Sequence, residues 1–245
     1  MKINKTAIVA LLSSTILLSS CDTLNQVAGQ YGGVLNQTGA PTQTEIGLGL
    51  KQALELGTGY GVDRLSSQNG FLGNAAVKIL FPAEAKKVEN TLRSLGLNSL
   101  CDNVITSLNR AAEDAVKEAK PIFVSAIKQM SFRDVTNILL GDKTAATEYF
   151  KRSTNAALVA RFSPIIKNSI NKVGATKYWG EVTTAYNKIP LVTPVNTDLT
   201  GYVTEKAVSG LFLEIAKEEL KIRENVGARS TTLLQKVFAY ADTKK

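Results

Sequence analysis

Between Val104 and Met130 the apolar residues fall at steps of three and four: Val104, Leu108, Ala111, Ala112, Ala115, Val116, Ala119, Phe123, Ile127 and Met130. Residues spaced this way share one face of a helix, so the run predicts helix with a continuous buried stripe. A strand would alternate polar and apolar positions, and no such alternation holds for six residues anywhere in the chain. The stretch from Val192 to Val195 comes nearest and is broken by Pro194. The pattern predicts an all-α fold, a single compact domain of roughly eight to ten short helices.

Punctuation residues divide the pattern. Ile46, Leu48, Leu50, Ala53, Leu54 and Leu56 form a first stretch, interrupted by Gly57, Gly59 and Gly61. Pro82 suits the first position of a helix that stops at Gly96. Pro121 forces a break or kink in the long stripe. Ser131 with Asp134 reads as a capping box opening a short helix to Gly141, and Asp142 as the cap of the next, through Tyr149 and Phe150. Thr154 begins another, kinked near Pro164 and ended at Gly174. Thr176 to Ile189 reads as helix and Pro190 with Pro194 as loop. Asp198 caps a strong late helix with Val203, Ala207, Leu211, Ile215 and Leu220 at its core. A last amphipathic helix carries Leu233, Leu234, Val237 and Phe238.

The amino-terminal residues read as an export signal. Lys2 and Lys5 precede an apolar stretch from Ala7 to Leu18, interrupted only by Ser13, Ser14 and Thr15. It is too short to span a hydrocarbon core, which needs about 20 apolar residues. Leu18-Ser19-Ser20-Cys21 follows and resembles the lipobox of bacterial lipoproteins, which implies cleavage before Cys21 and acylation of its thiol. The alternative is an ordinary signal peptide cut elsewhere, with Cys21 incidental. Each buried methylene contributes about 0.8 kcal/mol, so two or more acyl chains anchor a protein firmly without a transmembrane helix. Asp22 to Gln43, rich in Gly, Gln, Asn and Thr, reads as a flexible tether reaching roughly 25 Å. The expected organisation is a signal peptide over residues 1–20, acylated cysteine and tether over 21–43, and a helical domain over 44–245. The expected location is the bacterial cell envelope. Asp22 after the cysteine resembles an inner-membrane retention signal of enterobacteria, a rule that does not hold in all phyla, so inner and outer membrane both stay open.

Charge and composition exclude several function classes. The net charge is +8, and without Lys2 and Lys5 the count is 27 Lys+Arg against 21 Asp+Glu, or +6. On an exported chain this points to anionic lipid or acidic envelope polymers. Nucleic acid is not an expected partner, since no basic cluster is denser than Lys86-Lys87. Histidine is absent, which removes Ser-His-Asp and Cys-His catalysis and HExxH zinc sites. No metal or cofactor is expected. With Cys21 acylated, Cys101 lacks an intramolecular partner and reads as a small half-buried thiol. Gly57-Thr-Gly-Tyr-Gly61 falls one residue short of G-x-G-x-x-G and follows helix rather than strand. Ser125-Ala-Ile-Lys128 matches S-x-x-K, and Ser169-Ile-Asn171 resembles the second element of that set. Lys143-Thr144-Ala145 precedes it and lacks the glycine of the third. Glu113-Asp114 and Glu218-Glu219 are adjacent carboxylates, about 100° apart on a helix, and read as solvated faces.

One constellation sits closer to the apolar stripe. Asn109, Arg110 and Glu113 lie within one helical turn, on a stripe that continues to Phe123. The four form the candidate ligand-binding set; the alternative is a structural ion pair at i, i+3. The leading expectation is a non-enzymatic binding role, with amphipathic helices enclosing a lipid or other hydrophobic ligand. Docking of an envelope protein, or a structural envelope role, is the alternative. A hydrolase using paired carboxylates ranks last.

Four stretches carry a resemblance: Gly70-Phe-Leu-Gly-Asn74; Asn109-Arg-Ala-Ala-Glu113 with Ala119-Lys-Pro-Ile-Phe123; Ala145-Ala-Thr-Glu-Tyr-Phe150; and Gly201-Tyr-Val-Thr204 leading to Gly210-Leu-Phe-Leu213. Together, across Glu45 to Phe238, they resemble an uncharacterised family of bacterial envelope proteins, one of the numbered domains of unknown function. The resemblance implies a single helical domain, often behind a signal or lipobox, and brings no catalytic residues with it.

Overall fold

A computed structural model describes residues 39–172 and 198–244, with 179, 180, 184, 187 and 194 between them. The export signal, most of the tether, the helix expected from Thr176 to Ile189 and the stops at Gly174 and Pro190 lie outside the described residues, apart from those isolated positions. Among the described residues eight α-helices follow in order: α1 Gln43–Ser66, α2 Lys86–Ser94, α3 Asn98–Val116, α4 Ala119–Lys128, α5 Phe132–Leu139, α6 Ala145–Lys172, α7 Leu199–Glu224 and α8 Thr232–Asp242. Single 3-10 turns at Ala83–Ala85 and Val226–Ala228 complete them, and no strand occurs among the described residues. The fold is all-α.

The helices are not uniformly short, because α1, α6 and α7 run 24, 28 and 26 residues. α1 opens with a capping box, Thr42 with Glu45, and continues through all three glycines expected to end it. Gly49, Ala53, Gly57 and Gly61 stand four apart along it. A Cβ at Gly57 would stand 3.7 Å from Ile222, one at Gly61 3.5 Å from Ile215, and one at Gly49 only 2.7 Å from Val237. Glycine costs about 1 kcal/mol relative to alanine inside a helix, and here close packing of α7 and α8 offsets it.

α6 is likewise a single helix where two were expected. The Thr154 hydroxyl donates to Phe150 O at 2.6 Å, satisfied within the helix it was expected to start. Pro164 lies on the solvent face together with Ala160, whose carbonyl it leaves without a helical donor, so water can serve that group. Of its buried residues, Ala146, Phe150, Thr154, Leu158, Phe162, Ile166 and Ile170 stand four apart, with Thr147 buried beside the first of them. Steps of four advance about 40° each around the axis, so the buried ridge winds as α6 passes α4, α3 and α7. α3, α6 and α7 pack together at the centre, α1 covers α7 and α4, and α8 closes on α1.

Other punctuation is met more closely. Pro82 precedes the 3-10 turn that leads into α2, and Gly96 (φ +81°) ends it. Pro121 falls in the first turn of α4, where its missing amide has no helical acceptor, and the break comes before it, at Lys117 and Glu118. Ser131 and Asp134 form the expected box, and the Asp198 carboxylate accepts from Gly201 N at 2.8 Å. In α7, Val203, Ala207, Leu211 and Ile215 are buried as expected, but Leu220 is 38 % exposed. The row through Ile215 continues to Ile222, which takes the core position.

Candidate functional site

Ser67 to Pro82 is neither helix nor strand, yet Phe71 and Ile79 within it are buried. Their backbone groups need partners from elsewhere. Asn109 on α3 supplies one set: Ile79 N donates to its Oδ1 at 2.8 Å, while its Nδ2 donates to Ile79 O at 2.8 Å and Ile105 O at 2.7 Å. Glu113, one turn on, accepts from Phe71 N at 3.1 Å and Leu72 N at 3.3 Å through one oxygen, and from Arg110 at 2.5 Å through the other. Arg110 also donates to Asn69 Oδ1 at 2.8 Å, holding that residue at φ +66°. Gly70 is fixed by contact as well, since a Cβ there would stand 2.4 Å from Arg64 O. Asn109, Arg110 and Glu113 thus meet around the chain's own loop. Phe123 has its place in an aromatic cluster, edge-on to Phe150 at 5.2 Å and to Phe212 at 6.4 Å, and is fully buried.

The carboxylates expected to be solvated are mostly buried. Asp114 is exposed and pairs with Lys117, but Glu113, Glu218 and Glu219 have side chains about 5 % exposed. Glu218 and Glu214 share Arg64 of α1. Glu219 accepts from Ala146 N and Thr147 N at 2.9 Å each and from the Thr147 hydroxyl at 2.8 Å. It therefore covers the first-turn amides of α6, the role expected of Asp142, which is exposed. Arg223 pairs with Glu219 and donates to the carbonyls of Ile138 and Leu139 at the end of α5. Each of these glutamates ends on a cation or a backbone amide, so the cluster ties helices together rather than presenting an acid and a base to a substrate. The paired-carboxylate reading finds no such geometry here.

The same pairing sets acid stability. Burial pushes the Glu214 carboxyl up, but hydrogen bonds from Arg64 and Lys217 outweigh it and hold the group below the usual range. Hydrogen bonds from Lys236 and the Thr42 amide lower Glu45 to about 2. A depressed carboxyl contributes stability above its unfolded value, and that contribution is lost as the pH falls from about 4.5 toward 2. Lys236→Met should therefore begin acid unfolding at a higher pH than the parent, read by circular dichroism between pH 5 and 2. Coincident titrations would remove this pairing from the account.

The remaining motifs are placed simply. Gly57 to Gly61 lies inside α1, and Ser125 and Lys128 are both exposed on α4. Cys101 is fully buried rather than half-buried, and burial pushes its thiol up. Native protein should react with an aromatic disulfide reagent at Cys101 only at the rate of unfolding; prompt labelling would contradict that burial. Among the described residues no group of three His, Cys, Asp or Glu is placed to hold a metal ion, and no helix is long and apolar enough to cross a membrane.

Two concavities bear on binding. An apolar cavity of about 30 Å³, near Leu54, Ile138, Phe150 and Phe238, has room for one or two waters. An open groove of about 400 Å³ runs between α6 and α7. Asn155, Val159 and Ser163 form one wall; Thr204, Val208 and Phe212 form the other. The sequence signal for it is faint: both walls step by four beside the apolar stripes, in residues of middling polarity.

Neither curated proteins nor solved structures give a match to the chain. A family model described as protein of unknown function (DUF4197) matches residues 40–239, and the chain belongs to that family.

Proposed function

We propose that this chain is a lipid-anchored protein of the bacterial envelope, and that its helical domain binds a partner without catalysis through the α6–α7 groove. The observation that carries the reading is the contrast in size between the two concavities: about 400 Å³ at the groove and about 30 Å³ inside. A ligand-sized site falls at roughly 300–1,000 Å³, which the groove meets and the interior does not. The groove has a mostly apolar floor, Val208 and Phe212 beside Thr204, whose hydroxyl donates to Thr200 O, under a rim of Asn155, Ser163, Glu205 and Ser209. Such a rim suits a polypeptide segment, which returns hydrogen bonds, better than a bare acyl chain, which would desolvate it unpaired. The anchor rests on Leu18-Ser19-Ser20-Cys21, and the absence of catalysis on buried glutamates that are already ion-paired.

A photocrosslinking amino acid at Val159 or Ser209, introduced in cells, should trap one discrete envelope protein, whereas the same group at Lys117, just past the end of α3, should not. Equal yields from all three positions would sink the groove as the site. Native mass spectrometry of the gently extracted protein separates the lipid alternative, which requires a discrete added mass lost on denaturation.

A further inference from the structure

The turn between α2 and α3 exposes three leucines in six residues: Leu95 at 70 %, Leu97 at 43 % and Leu100 at 42 %. From Ser94 to Cys101 eight consecutive residues carry no charge. α2 leans on the first turns of α3 and on the 3-10 turn before it, so the leucines stand at the apex of a helical hairpin. A convex apex cannot enclose a small ligand, and its leucines are covered only by a surface that receives them.

The amides on the α2 side of the apex are already paired within the chain. Leu97 N donates to Leu92 O at 3.0 Å and Gly96 N to Arg93 O at 3.0 Å, a closed helix ending that Gly96 permits with φ +81°. Leu95 N donates to Thr91 O and Cys101 N to Leu97 O. These amides are satisfied inside the chain, while those of Asn98, Ser99 and Leu100 in the first turn of α3 have no side-chain cap and need water or lipid headgroup oxygens, so the apex fits the interfacial region of a bilayer and not its hydrocarbon core. Behind it, Arg93 bridges Glu89 and Asp102, bracing one helix against the other.

We infer that this apex dips into the surface of the bilayer that carries the chain's own acyl anchor, a second contact that fixes how the domain stands on the membrane. The inference rests on the lipid-anchored reading above. Two observations select a bilayer as the occupant. Cys21 lies about 22 residues before α1, a tether that would hold the bilayer close to the domain at an effective concentration of about millimolar. The net charge of the chain beyond the signal, 27 − 21 = +6, complements an anionic surface.

The test uses the chain with Cys21→Ser, so that the anchor does not mask weaker contacts, and vesicles of phosphatidylethanolamine and phosphatidylglycerol. Partition should weaken roughly tenfold for each leucine changed to serine among Leu95, Leu97 and Leu100. A nitrobenzoxadiazole label at Leu97→Cys should shift to the blue on vesicles, with Cys101 shielded by burial. Because these leucines are exposed, the serine variants should keep the parent's thermal midpoint. Unchanged partition with a silent label overturns the inference. A blue shift that appears without vesicles and grows with protein concentration also overturns it, in favour of a second copy of the chain. Intact mass of the wild-type protein from cells reports separately on the anchor: acyl chains on Cys21 support the tethering reading, and a bare Cys21 overturns that reading whatever the vesicles show.

Discussion

Glu219→Ala should lower the unfolding free energy by about 3–5 kcal/mol, the range found when one partner of a buried ion pair is removed. The glutamate covers two first-turn amides of α6 and the Thr147 hydroxyl while neutralising Arg223. Arg223 in turn holds the last carbonyls of α5. Alanine leaves a nearly buried guanidinium without its anion and the amides without an acceptor. For a domain of this size the thermal midpoint should fall by roughly 10 °C. Pairing the change with Arg223→Leu should recover part of the loss, because no unpaired charge then stays inside. A midpoint within a degree or two of the parent would show that water reaches this site and that the three helices do not depend on it.

Asn109→Asp should be nearly as severe, about 3 kcal/mol or more, although it changes one amide nitrogen to oxygen. The side chain now donates to two carbonyls, Ile79 O and Ile105 O, and a carboxylate would face both with negative charge. Asn109→Leu, which removes the polar group without adding charge, should cost less, about 2 kcal/mol, from the Ile79 backbone left unpaired. Hydrogen exchange separates loop from core: the amides of Phe71 and Ile79 should lose protection in both variants, more than those of α8. Protection kept at Ile79 in Asn109→Asp would mean that another group holds the loop.

Much of the fold was legible because helical periodicity is local. The stripe from Val104 to Ile127, the Ser131–Asp134 box, the Asp198 cap and the buried face of the last helix all follow from neighbours within one or two turns. Gly57, Gly59 and Gly61 misled because glycine is weak within a helix considered alone, and the packing that offsets Gly57 and Gly61 lies on α7, some 160 residues away. Pro164 misled similarly, since its cost depends on whether the face it disrupts meets water. The glutamates show the limit most clearly. Glu218 and Glu219 lie among lysines in the sequence and look solvated, but their partners Arg64, Ala146 and Thr147 come from other helices. The Asn109–Arg110–Glu113 set was visible as a cluster; that it faces the chain's own loop depends on backbone at Phe71 and Ile79, which no spacing rule reaches. The groove stayed hidden because its walls lie beside the apolar stripes, and periodicity reports only what is inside.

The first helix among the described residues is completed by the last of them. α1 carries Glu45 and Gly49 toward α8, where Lys236 and Val237 receive them, close to 190 residues later. Until α8 emerges, Glu45 lacks its lysine and the gap beside Gly49 stays unfilled. Contacts of such sequence separation form slowly, so a growing chain holds α1 unfinished until α8 has been made. Closure of α1 therefore waits on α8, and a chain truncated before α8 should stay a substrate for proteases rather than persist as a folded fragment.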